Sequence, residues 1–396
     1  MRYDFSSTVS REGSNALKYT LREKLFGSED ILPLWVADMD INTPHFVLDA
    51  LQERLKHPLF GYEEIPKEAF EAQQAWMKKV HGVFYDIENF FYSHSVVASI
   101  RVAIEAFTEK GEGVVVQTPI YPPFIESVKR LDRKVVKNPL KQKSDGTYCF
   151  DIEDLKSKID RDTKLLLLCS PHNPVGRVWR EDELREILSL CREHNIVVFS
   201  DEIHCDLIYD GYRHIPFSSL GEEAKEISLS AIGTAKTFNM AGFAISSVVI
   251  SAPELKKRFK EVYDRVHFAE GSILSHIAYK AAYQSGYEWL EALKKHLYSN
   301  YRMLESLALK YTPYIKVTPI EASYLAWIDC RGMGVSDKEI RRFFTQEAKL
   351  GLASGVSFGR EGRGFMRLNF AVSSDTMQEI VKRLESALQR RQFGSN

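Results

Sequence analysis

Four short segments of the 396-residue chain carry side chains suited to imine and carbanion chemistry, and each follows a run of apolar residues. Gly233-Thr234-Ala235-Lys236-Thr237-Phe238-Asn239 sets a lysine between a turn of small residues and the apolar Phe238, Met240, Gly242 and Phe243. A lone lysine is usually a solvated surface group, but in apolar surroundings it loses basicity and becomes an amine nucleophile. Ser200-Asp201-Glu202-Ile203-His204 ends a second run. Asp201 there reads either as a helix cap or as a buried carboxylate holding a cationic nitrogen. His204 reads as a satisfied core histidine or a group beside the site. Its adjacency to Cys205 and Asp206 argues for no metal, because neighbouring side chains rarely converge on one ion. Ser170-Pro171-His172-Asn173-Pro174-Val175-Gly176 is by itself a Pro- and Gly-rich turn, in which Asn173 can also offer an amide to a ligand. Thr118-Pro119-Ile120-Tyr121-Pro122-Pro123-Phe124 holds Tyr121 among prolines, as a core residue or as a rigid stacking plate.

In the order tyrosine, asparagine, aspartate, lysine, these groups match the needs of pyridoxal phosphate. The lysine forms the imine, and the aspartate keeps the pyridine nitrogen protonated so that the ring is an electron sink. The amide meets the phenolate oxygen, and the aromatic ring packs on the cofactor face.

The elements that must position them are legible as an alternation. Strands are expected at 114–117, 134–136, 164–169, 196–200, 228–231 and 246–250, several of them apolar throughout, as in strands buried on both faces. Helices are expected at 124–131 and 180–194, the second with Glu181, Asp182 and Glu183 in its first turn. This pattern predicts an α/β domain with a mostly parallel sheet, in which ligands lie beyond the carboxyl ends of the strands. The texture changes after about residue 285. Helical stretches at 287–310, 336–349 and 374–391 and strands at 315–317, 324–329 and 366–370 predict a smaller α+β domain. The expected division is 46–285 for the large domain, with 1–45 and 286–396 forming the small one. Gly359-Arg360-Glu361-Gly362-Arg363-Gly364 opens no strand–helix–strand unit and reads as a loop.

Composition excludes several classes. The charge balance is 53 basic against 54 acidic residues, which gives no footprint for nucleic acid or an anionic membrane. Apolar runs such as 165–169 are too short to span a bilayer, and the N-terminus shows no apolar core of a secretory leader. The five cysteines stand at least 14 residues apart with no CxxC pair, as expected of reduced thiols in a cytoplasm.

The chain resembles the fold-type I pyridoxal-phosphate enzymes, the aspartate-aminotransferase superfamily. Within it the chain is most similar to the cystathionine β-lyase and cysteine C–S lyase group that includes MalY, PatB and cystalysin. The matching segments are Pro33-Leu34-Trp35-Val36-Ala37-Asp38-Met39-Asp40, Gly61-Tyr62, Val96-Val97, Ser170 to Gly176, Ser200 to His204, Lys236 to Asn239 and Arg367-Leu368-Asn369. The resemblance implies that Lys236 is the Schiff-base lysine and proton shuttle, that Asp201 pairs with the pyridinium, and that Asn173 binds the phenolate oxygen while Tyr121 stacks. It implies that backbone N–H groups of Val96 and Val97 cradle the phosphate, that His204 and Thr234 belong to the cofactor's surroundings, and that Tyr62 reaches the phosphate of a neighbouring subunit in a homodimer. Arg367 would fork onto the substrate α-carboxylate. Ala37 would line the substrate entrance with its segment, which favours that role for Asp38 and Asp40 over a metal site. The implied reaction is α,β-elimination on L-cystathionine, L-cystine, L-cysteine or an S-conjugate, giving pyruvate, ammonia and a thiol. An aminotransferase, a protein with an added regulatory binding role and a structural protein without cofactor remain alternatives. The chain departs from the pattern at Ser95, often Gly in the family, at Gly233, where aminotransferases usually carry a phosphate-binding Ser, and at Ala244, where they usually carry an Arg. The last departure favours lyase over aminotransferase.

Overall fold

A computed structural model describes residues 3–266 and 271–391. Seven strands form the central sheet: β1 (Phe90–Ser93), β2 (Gly113–Thr118), β3 (Lys134–Pro139), β4 (Thr163–Cys169), β5 (Val197–Asp201), β6 (Ser228–Ile232) and β7 (Ser246–Val249). Their order is β1-β7-β6-β5-β4-β2-β3, with β2 to β6 mutually parallel and β7 antiparallel to both neighbours. The central strands β2, β5, β6 and β7 are buried at every residue, which explains their unbroken apolar or small-residue sequences. β3 is an edge and alternates, with Lys134 and Lys137 in solvent. Strand β1 was not expected from the sequence, because Phe-Phe-Tyr-Ser is short and has no period of its own.

Helix α1 (Val96–Phe107) and Pro253–Val266 pack on one sheet face with Ile100, Ile104, Phe199 and Phe259. Helix α2 (Glu181–Glu193) covers the other with Leu184 and Ile187, beside Trp179 and Phe217. A third core cluster joins helices His45–Leu55, Lys67–His81 and α3 (Tyr287–Lys310) to the C-terminal region. There β8 (Lys316–Val317), β9 (Leu325–Asp329), β10 (Ala353–Ser354) and β11 (Phe365–Asn369) form an antiparallel sheet in the order β8-β9-β11-β10, and α4 (Ser374–Arg390) closes the chain. The helix expected over 336–349 is regular only at Asp337–Arg342 and then widens into π-type turns at Phe343–Glu347. The glycine-rich stretch 359–364 is a loop with one tight turn, as expected, running directly into β11.

The N-terminal segment joins this second sheet region. Leu32–Pro33 pairs in parallel with Leu350–Gly351, and Leu34 O accepts from Asn369 N at 3.0 Å. Beyond it, two asparagines pin the chain from opposite sides. Asn369 Nδ2 donates to the carbonyls of Val36 and Asp38, each at 2.6 Å, and Asn239 Nδ2 donates to those of Met39 and Ile41. Residues 36–41 are thereby held between β11 and the turn that carries Lys236.

Candidate active site

The carboxyl ends of β2, β4, β5 and β6 open onto one cavity of about 470 Å³. Lys236 stands on a one-turn helix, Thr234–Thr237, that begins as β6 ends. Its Nζ donates to the Ala37 carbonyl at 2.7 Å, and the Tyr324 hydroxyl donates to the same oxygen at 2.9 Å. Burial, reinforced by the charge of Arg367 and opposed by Asp38 and Asp201, pushes the lysine down to about 8. Asp201 closes β5. One of its oxygens accepts from Ile203 N at 3.1 Å, so it does cap the turn that follows. Burial pushes this carboxyl up to about 7. A cationic ring nitrogen is the partner that would restore its charged form. His204 is buried and is held neutral by burial, at about 3.

Asn173 follows β4. Its Oδ1 accepts from Arg367 at 3.1 Å, which leaves the amide nitrogen as donor for a ligand. Arg367 comes from β11, opposite Trp327 and Ala353. It also donates to Trp35 O at 2.8 Å and lies 4.9 Å over the Phe358 ring. Tyr121 precedes the helix Pro122–Arg130 and lines the cavity wall while partly exposed. At the other end α1 begins. Ser95 caps it by accepting from Ala98 N at 3.2 Å, so the N–H groups of Val96 and Val97 have no partner within the helix, and both residues line the cavity. The Ser95 departure is therefore a conventional cap.

Of the residues singled out in the sequence, Ala37, Val96, Val97, Tyr121, Asn173, Asp201, His204, Lys236 and Arg367 meet on this wall. Thr234 and Tyr62 do not. Thr234 is wholly buried off the wall with its hydroxyl unpartnered, and Tyr62 is fully exposed beside a separate, smaller depression. In the segment 33–40, Trp35, Val36 and Ala37 line the cavity, but the carboxylates of Asp38 and Asp40 turn away from it. The fully buried Lys18 lies 2.9 Å from Asp38 and 3.0 Å from Asp40, and Arg11 binds both. Leu17, His94, Ser246, Ser357 and Phe358 line the cavity without a signal in the sequence. They come from turns, strand ends and a short helix, where no periodicity marks an inward side chain. Gly233 has a packing reason: a Cβ there would lie 3.0 Å from Ser246 Cβ and 3.1 Å from Ile203 Cδ1, so a serine would crowd β7.

The wall fits pyridoxal phosphate. Two buried nitrogens on it, His204 Nδ1 and Arg367 Nε, lack a hydrogen-bond partner. Asp201 is a buried acid in need of a cation, and the first turn of α1 offers open N–H groups to a phosphate.

The model of the family described as Aminotransferase class I and II matches residues 29–384. The chain belongs to this family. Within the family it is 37% identical over 386 residues to Cystathionine beta-lyase PatB of Bacillus subtilis, covering 97% of this chain and all of the relative. It is 31% identical to Protein MalY of Escherichia coli, over 98% of this chain and 99% of that one. The crystal structure of cystalysin from Treponema denticola, which contains pyridoxal 5'-phosphate, superposes with a TM-score of 0.95 at 33% identity, covering 99% of this chain and all of that one. Among the described residues no helix is long and apolar enough to cross a membrane.

Proposed function

We propose that this family member is a pyridoxal-phosphate-dependent β-lyase that breaks the Cβ–S bond of L-cystathionine, L-cysteine or a related cysteine S-conjugate and yields pyruvate, ammonia and a thiol. The observation that carries the cofactor is a lysine of lowered basicity on one wall with a buried, raised aspartate. The choice of elimination rests on full-length likeness to relatives named as β-lyases.

Pyridoxal phosphate supplies, when bound, a carbonyl carbon for the substrate amine and a ring that accepts the electron pair released at Cα. Asp201 would hold the ring nitrogen's proton, Asn173 would donate its amide, Tyr121 and His204 would border the ring, and the N–H groups of Val96 and Val97 would take the phosphate, with the unpartnered Thr234 hydroxyl as a further donor. Arg367 grips the α-carboxylate and so orients the Cα–H bond. Lys236 removes that proton. Burial lowers its basicity from that of a free lysine, toward the range in which an amine both takes and gives a proton near neutral pH. The aminoacrylate product hydrolyses in water to pyruvate and ammonia.

The same reading places residues 46–285 in a cofactor domain and 1–45 with 286–396 in a smaller one that brings Arg367 to the site. It makes the molecule a homodimer in which Tyr62 completes the partner's phosphate site. It also places the protein in the cytoplasm, in keeping with five free cysteines. The test is an absorbance spectrum of the purified protein, followed by pyruvate and thiol assays without any keto acid. Equal yields of the two products support the reading. Turnover that needs a keto-acid acceptor and releases no pyruvate makes the protein an aminotransferase.

A further inference from the structure

Directly beneath the cavity the two residues next to the proposed catalytic pair are tied into buried polar groups. Thr237 follows Lys236 and Glu202 follows Asp201, and both side chains are wholly buried and off the cavity wall. Thr237 Oγ1 donates to Asp206 Oδ2 at 2.8 Å. Asp206 Oδ1 accepts from Trp76 Nε1 at 2.9 Å and from His81 Nε2 at 2.8 Å. Glu202 accepts from Ser200, Ser230 and the Phe217 N–H and meets His214 Nε2 at 3.3 Å. The His81 and His214 rings lie edge to face, 5.4 Å between centroids. Cys205 lies close to His81 and Asp206, but both Asp206 oxygens are already occupied by N–H and O–H donors, so the trio is a hydrogen-bonded core and not a metal site.

The turn carrying Lys236 holds itself weakly. It is four residues long, closed by two backbone bonds, Phe238 N to Thr234 O at 3.0 Å and Met240 N to Ala235 O at 3.2 Å, and an isolated turn is unstable. We infer that Asp206, oriented by His81 and Trp76, is the buried anchor of this turn and acts through Thr237 as a positioning residue for Lys236. The anchor stays charged. Burial opposes the charge, but the bonds from His81, Trp76 and Thr237 hold Asp206 below the usual carboxylate range. The charges that act on the lysine's nitrogen are those of Arg367, Asp38 and Asp201, so Asp206 acts on it through position.

This inference rests on the cofactor reading, and one experiment separates the two. In the wild-type holoenzyme, the absorbance of the lysine-bound cofactor is titrated against pH and kcat and KM are measured. The same is done for Thr237→Val, which keeps the shape and removes the donor, and for Thr237→Ser, which restores it. Loss of the donor unties the turn from Asp206, so the lysine is held less well in place. The titration midpoint should therefore shift in Thr237→Val, with kcat falling about tenfold and KM changing less than about twofold. Thr237→Ser should return both to near wild type. A Thr237→Val protein that loses only thermal stability, with midpoint and kcat unchanged, would overturn the inference. A wild type with no cofactor absorbance would instead overturn the proposed function.

Discussion

Arg367 concentrates two jobs at one guanidinium. It spends bonds on Asn173 and Trp35, lies over Phe358, and keeps its Nε unpartnered in a buried site that pushes its acidity toward about 10. Arg367→Ala should lower kcat/KM on cystathionine or an S-conjugate a hundredfold or more, about 3 kcal/mol, and Arg367→Lys should recover only part, because an ammonium cannot form the fork. Steady-state kinetics read this, and cofactor absorbance should stay unchanged in both variants. Wild-type kcat/KM in Arg367→Ala would remove the residue from substrate binding. The acid and the amine give a second expectation. Asp201 at about 7 in the fold, against 3.8 ordinarily, contributes stability at low pH that is lost as pH rises through about 7. Lys236 at about 8, against 10.5, contributes stability at high pH that is lost as pH falls through about 8. Both costs are therefore present together between about 7 and 8, and cofactor binding relieves both. The gain in Tm on adding pyridoxal phosphate to cofactor-free protein should peak near pH 7 to 8 and shrink at pH 5. The peak should flatten in Asp201→Asn. A gain independent of pH would contradict the pairing.

The strands that end in Thr118, Cys169, Asp201 and Ile232 were legible because burial on both faces leaves an unbroken apolar run, and their chemical residues come directly after it. Phe358, Leu17 and Tyr324 were not. The first two belong to short turns, and Tyr324 reaches the site only because β9 lies beside β11. The partners of Asp38 and Asp40 were hidden for a related reason: Lys18 stands some 20 residues away in sequence, and only the fold brings it to them. The packing at the end of β6 gives the element-scale prediction. Gly233→Ser, which would install the hydroxyl seen at this position in aminotransferases, should destabilise the protein by about 1–3 kcal/mol through overpacking against Ser246 and Ile203. Denaturant unfolding of the holoenzyme measures this, and an unchanged midpoint would mean that β7 yields at no cost.

For the whole molecule, Tyr62 decides whether sites are shared. It is fully exposed and lies off its own chain's cavity wall. Tyr62→Ala and Lys236→Ala chains, each of low activity, should recover activity when mixed under conditions of subunit exchange, because one hybrid site receives both intact residues. No recovery despite exchange proven by mass would mean that each site is complete in one chain. The central claim, that the amine at the end of β6 carries the cofactor, is tested most directly by borohydride reduction of the holoenzyme followed by peptide mapping by mass spectrometry. The reduced pyridoxyl group should lie on the peptide containing Lys236 and on no other. A stable adduct on another lysine, with Lys236 unmodified, would contradict it.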